Sequence, residues 1–461
     1  MDWVALMYTV LVGLVGPAAL YAAEAVEVSV VDDDGPAVTR QTPRGDERLL
    51  YLRITNPTGA TMGGLTLQYT HEDTTGARPL IPVPSGGSWD SLWLRTPVPD
   101  RLPAKLMRGD RRVWAGTLPI NKAGDDRVVV PQSETVTLDR LKPLSLRGTN
   151  YLPRHWPWPG LWREATEKTF EAEFAEMTAL HINTFRTFYF FDEEAGLVRR
   201  DGALTPKLLA RINTLLAVAD RHGLKVMMCL TGSLPHLEEL DTWRRFFRTG
   251  IEPFAYDGRI LMWDLINEPG GSKGPKATVE LSTWIQTMYG ELEALAPNHM
   301  LTVGLCWQFD QLWELGVKPP VAQFHNYSGA VGVQPPGQPP VRNVADDLRG
   351  IQGFTNHRPL VIGEFGYATV VDEARKDASP KRQLEIYQGV LTGAQAAQIT
   401  GVYNWTLFHF VPDWMGKGEQ SFGVIRPDGS LKPAGELLRD TYKRWSDVVR
   451  TPWEPNLSSR G

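Results

Sequence analysis

Ile260-Leu261-Met262-Trp263-Asp264-Leu265-Ile266-Asn267-Glu268-Pro269-Gly270 is an apolar run that stops abruptly. Its length and composition are those of a buried parallel strand. Pro269 lacks an N–H and Gly270 favours a turn, so the strand ends there. Asn267 and Glu268 are left at its carboxyl end, where parallel α/β folds carry their chemistry. A second stretch repeats the design: Pro359-Leu360-Val361-Ile362-Gly363-Glu364-Phe365-Gly366-Tyr367 also closes an apolar strand with a glutamate.

Burying a carboxylate is costly unless it is paired or used. One such glutamate is commonly a helix cap or a structural ion pair. Two at strand ends point to chemistry instead, since retaining glycosidases need two carboxyls about 5 Å apart, one acid/base and one nucleophile.

Working outward, strands alternate with helical patterns from residue 142 onward, which calls for a parallel sheet. Strand patterns occur at 145–149, 182–188, 225–230, 260–267, 301–305, 321–325, 359–365 and 401–405. Helical patterns fall near 164–180, 206–222, 236–248, 278–295 and 432–445. Eight such strands close a (β/α)8 TIM barrel. Residues 26–141 read differently, with short alternating strands at 26–30, 49–54, 65–69, 127–130 and 134–138, and predict a small β-sandwich accessory domain. Asp32-Asp33-Asp34-Gly35 lacks the ligand spacing of a calcium loop and reads as a turn. Residues 1–25 contain an apolar stretch with a small-x-small site at Ala23-Glu24-Ala25, which predicts a signal peptide and hence a secreted or periplasmic protein. Its leading region carries Asp2 and no Lys or Arg, so a retained membrane anchor and a misassigned start codon are the alternatives.

The net charge of −5 and pI near 6.0 give no reason to expect nucleic acid. Cys229 and Cys306 are too few for a disulfide framework and read as two buried thiols. The chain has 16 tryptophans, whose indoles stack on sugar rings but also fill cores.

The two glutamate strands, in register with the other six, resemble those of the retaining (β/α)8 glycosidases of clan A, and most closely glycoside hydrolase family 5, over roughly residues 144–446. The resemblance implies Glu268 as acid/base at the end of the fourth strand and Glu364 as nucleophile at the end of the seventh. It implies Arg186 beside the nucleophile, lowering its pKa, and Asn267 on the sugar 2-hydroxyl. His325 and Tyr327 form the family's His-x-Tyr pattern, with Tyr327 steadying the nucleophile and His325 serving the substrate or the acid/base. Trp405 would floor the sugar site. Asn150 opens the loop after strand one, and Trp156, Trp158 and Trp307 lie on loops of the catalytic face, as sugar platforms or as loop packing. Of the two carboxyls Glu268 should hold the higher pKa, because it must give a proton first. Many cellulases of this family carry a histidine at the end of strand three, where this chain has Leu230-Thr231-Gly232.

No metal or organic cofactor is implied. The expected partner is a carbohydrate substrate, a β-linked plant-type polysaccharide or its oligosaccharides, with mannan and glucan favoured. An exo-acting β-mannosidase or β-glucosidase, a transglycosylase and a non-catalytic carbohydrate-binding protein are the alternatives.

Overall fold

The computed structural model describes residues 26–31, 36–121, 127–157, 160–189, 197–232, 239–269, 279–306, 315–327, 344–372, 375–410 and 418–454. The expected N-terminal segment, the acidic turn at 32–35, Trp158 and Trp307 lie outside these residues.

Among the described residues nine strands precede the barrel: β1 (Glu27–Val31), β2 (Ala37–Thr42), β3 (Gly45–Thr55), β4 (Leu65–His71), β5 (Thr74–Pro79), β6 (Ser88–Arg95), β7 (Arg101–Arg108), β8 (Arg111–Pro119) and β9 (Arg127–Val130). Eight follow: β10 (Leu146–Asn150), β11 (Thr184–Phe188), β12 (Lys225–Cys229), β13 (Ile260–Asn267), β14 (Met300–Leu305), β15 (Ala322–Asn326), β16 (Leu360–Phe365) and β17 (Gly401–Asn404). The chain divides into two compact units, residues to 34 with 47–124, and 35–46 with 125–461.

In the first unit β3 pairs antiparallel with β1 and β6, and β4, β5, β7 and β8 form a second antiparallel sheet in the order β5-β4-β7-β8. Leu50, Leu52 and Ile54 of β3 share one core with Leu65 and Leu67 of β4 and with Leu102 and Leu106 of β7. Inner faces meeting across two sheets make this the expected sandwich. Each such leucine contributes about 2 kcal/mol by leaving water.

In the second unit β10 to β17 pair in sequence as parallel neighbours, and β17 returns to β10 to close the barrel. All eight residues of β13 are buried except Asn267, as a strand covered on both faces requires. Three of the helices between the strands start with side-chain caps. Thr166 forms a capping box with Thr169 ahead of Glu167–Ala179, and Thr205 and Ser379 cap the helices that begin with Pro206 and Pro380.

Two sequence expectations need correction. Glu134–Leu138 forms no ladder; Ser133 bonds instead to Tyr256 and Gly258, and a short 3₁₀ turn takes Leu138–Arg140. The sandwich also holds strands the alternation search missed, among them the β7–β8 hairpin, where inward leucines alternate with outward charges.

Candidate active site

The carboxyl ends of the barrel strands converge on Arg186. Its position in β11 places it inside the barrel, fully buried, where a guanidinium survives only if every donor is used. Nε donates to Asp264 Oδ2 at 2.8 Å and Nη1 to Glu364 Oε1 at 2.6 Å. Nη1 also donates to Asn150 Oδ1 at 3.1 Å, and Nη2 to Asn267 Oδ1 at 2.8 Å and Cys229 Sγ at 3.4 Å. Four strands are thereby fixed to the planar fork that a fifth, β11, carries.

Glu364 closes β16 and is 5% exposed. Arg186 holds one of its oxygens, and the Tyr327 hydroxyl donates to the other at 2.7 Å. Burial and the charges of Glu364, Glu419 and Glu268 push the Tyr327 pKa far up, so it stays a donor.

Glu268 follows β13 with φ of +47°, a left-handed backbone that L side chains seldom adopt. Its N–H donates to Gly304 O at 2.7 Å, and His325 Nδ1 lies 2.8 Å from its Oε1. One oxygen of Glu268, one of Glu364 and a nitrogen of His325 all lie within 4.8 Å of one another. Burial raises the Glu268 pKa. The hydrogen bond at His325, the charge of Arg186 and a hydrogen bond from Cys306 lower it, and the net direction is below the ordinary glutamate value. The free site thus shifts Glu268 opposite to what holding a proton requires, because two basic side chains face it.

Asn150 is buried, with its amide nitrogen donating to Gly363 O at 2.8 Å, so it positions Arg186 and offers nothing to a ligand. Asn267 spends its oxygen on Arg186. Trp405 is buried, set edge-on to Phe188, and its indole N–H donates to Glu419 Oε1 at 3.0 Å. Trp156 is 38% exposed, and its ring lies edge-on to His155.

Sequence reasoning missed three polar groups. Asp264 is fully buried in β13, accepting from Arg186 and from Gly304 N–H at 2.9 Å. Gln323 of β15 donates to Asp264 Oδ2 at 3.1 Å. Glu419 joins Trp405 to Arg375, and burial raises its pKa although Arg375 and Trp405 oppose the rise. The signal for the first two was present: each is a polar residue within an otherwise apolar strand.

A family model described as Cellulase (glycosyl hydrolase family 5) matches residues 141–407. Comparison with curated proteins returned no match. Among solved structures, the exo-β-1,4-mannosidase of Opitutaceae bacterium strain TAV5 is similar with a TM-score of 0.52 and 18% identity, over 66% of this chain and 60% of that one. The GH2 β-galacturonidase of Eisenbergiella tayi is similar at 0.50 and 14%, over 91% and 72%. The β-glucuronidase of Bifidobacterium dentium is similar at 0.50 and 15%, over 91% and 67%. At these identities the likeness is one of fold.

Proposed function

Because the chain belongs to glycosyl hydrolase family 5, we propose that its barrel hydrolyses β-glycosides by double displacement, with Glu364 as nucleophile and Glu268 as acid/base. The observation that carries this reading is the spacing of the two carboxyls. Oxygens within 4.8 Å suit direct attack on the anomeric carbon, whereas inverting enzymes leave roughly 6.5–9.5 Å for a water.

In the first step a Glu364 oxygen bonds to the anomeric carbon while Glu268 protonates the departing glycosidic oxygen. In the second, Glu268 takes a proton from water, whose oxygen displaces Glu364 and restores the β-configuration. Arg186 and Tyr327 hold Glu364 in line, Asn267 Nδ2 meets the 2-hydroxyl, and the Trp405 indole floors the sugar. The substrate we favour is a β-linked plant-type polysaccharide or its oligosaccharides, mannan or glucan first. The name of the exo-β-1,4-mannosidase neighbour keeps an exo-acting enzyme as the second reading.

The test is a screen on mannan, β-glucans, xylan and aryl β-glycosides with Glu364→Ala as control. Cleavage lost in the control supports the reading, and polymer cleavage separates endo from exo action. Glycan binding without cleavage in the unaltered chain would overturn it. With azide, Glu268→Ala should give the β-glycosyl azide and Glu364→Ala the α-anomer; the reverse would exchange the two roles.

A further inference from the structure

Behind the two carboxyls lies a second row of polar contacts. Gln323 Nε2 sits 3.1 Å from Asp264 Oδ2 and 3.4 Å from His325 Nε2. Asp264 is paired to Arg186 at 2.8 Å and accepts from Gly304 N–H, so it presents acceptors only. The amide of Gln323 must therefore turn its nitrogen to Asp264, because the reverse orientation would set two oxygens against each other. That nitrogen has only protons to offer, so His325 Nε2 must be the acceptor. The ring proton then sits on Nδ1, the atom 2.8 Å from Glu268 Oε1. The same contact stands against an imidazolium, which would bring donor toward donor at 3.4 Å.

Resting on the proposed role of Glu268, we infer that Gln323, oriented by Asp264, is a positioning residue that fixes His325 as its Nδ1–H tautomer and thereby confines the acidic proton of Glu268 to Oε2. With Oε1 already receiving the imidazole proton, only Oε2 can carry the proton for the leaving oxygen. In the other tautomer Nδ1 would be an acceptor, and Glu268 would give its proton to His325 instead of the substrate. The other ionisable groups facing this pair are Arg186 from β11, Cys306 after β14, Tyr327 after β15 and Glu364 from β16, whose Oε1 is 3.6 Å from His325 Nδ1. The row is built for close contact. A Cβ on Gly363 would stand 2.4 Å from Gln323 Nε2, and one on Gly304 would stand 2.9 Å from it.

The test begins with the unaltered chain, labelled with ¹⁵N-histidine, His325 being assigned by its loss in His325→Gln. Its ring shifts should show a proton on Nδ1 and none on Nε2 across neutral pH. Gln323→Met keeps the volume but not the donor. It should give a mixture of tautomers and lose about 10-fold or more in kcat/KM on glycosides with poor leaving groups, while dinitrophenyl glycosides, which need no acid, stay within about 3-fold. Its alkaline limb of kcat/KM should also move. Protonated Nε2 in the unaltered chain, an unchanged tautomer in Gln323→Met, or equal losses on both substrate classes would each overturn the inference. Should the unaltered chain cleave no glycoside, the proposed function fails, while the ring shifts still decide the tautomer.

Discussion

Glu268 and Glu173 show how single carboxyls here take opposite directions from similar burial. In the free site Glu268 is held below the ordinary value by His325 and Arg186, so the alkaline limb of kcat/KM, which reports the free enzyme, should have an acidic midpoint. Removing the donor with His325→Ala should carry that limb to higher pH. A limb unmoved by His325→Ala would deny that Glu268 is the group observed. Glu173, on the helix Glu167–Ala179, accepts from Tyr151 and from Arg154 N–H but is raised from 4.5 to about 7, first of all by burial. The folded chain keeps this proton where the unfolded chain has released it. Its contribution is complete below about 4.5 and is lost as pH rises through 7, which amounts to about 3 kcal/mol. Glu173→Gln should melt nearly alike to the unaltered chain at pH 4.5 and higher at pH 8. A difference in melting temperature that does not vary with pH would contradict this. At this scale the sequence showed which residues end strands, through the punctuation at Pro269 and the repeat at Glu364. The family resemblance set Arg186 beside Glu364, but the residues alone could not show its bonds to Asp264 and Cys229, because those depend on five strands meeting.

Strands carry the next layer of information. The β13–β14 register shifts between Asp264 and Asn267, β15–β16 between Phe324 and His325, and β16–β17 between Ile362 and Phe365. Irregularities at these ends re-aim side chains, so Asp264 and Asn267, three residues apart, both reach Arg186. Strict alternation cannot predict that pair, which is why Asp264 was missed while the strand itself was legible from its apolar run. The barrel's period was likewise plain from eight alternating units, whereas the sandwich's β7–β8 hairpin was lost among its charged outward residues. A bulky residue in the polar row tests the packing: Gly363→Ala should cost about 1–3 kcal/mol in denaturant unfolding and lower activity further than that loss explains, by displacing Gln323. Full activity with unchanged stability would show that Gln323 has room to move.

The molecule as a whole keeps both thiols inside the barrel unit, Cys229 fully buried and Cys306 4% exposed. A thiol reagent should find neither in the native chain and both in denaturant, and a reductant should leave the melting temperature unchanged. Rapid native labelling of one cysteine would place it on the surface. Among the described residues no helix is long and apolar enough to cross a membrane. The left-handed backbone at Glu268 has a consequence for how such a chain can change over generations. Glycine adopts that conformation freely, whereas a residue with a Cβ resists it by about 1 kcal/mol. Glu268→Gly should therefore outlast Glu268→Ala in thermal unfolding, although both lack the carboxyl. For a lineage no longer selected for catalysis, position 268 is an easy place to drift toward a sturdier, silent barrel.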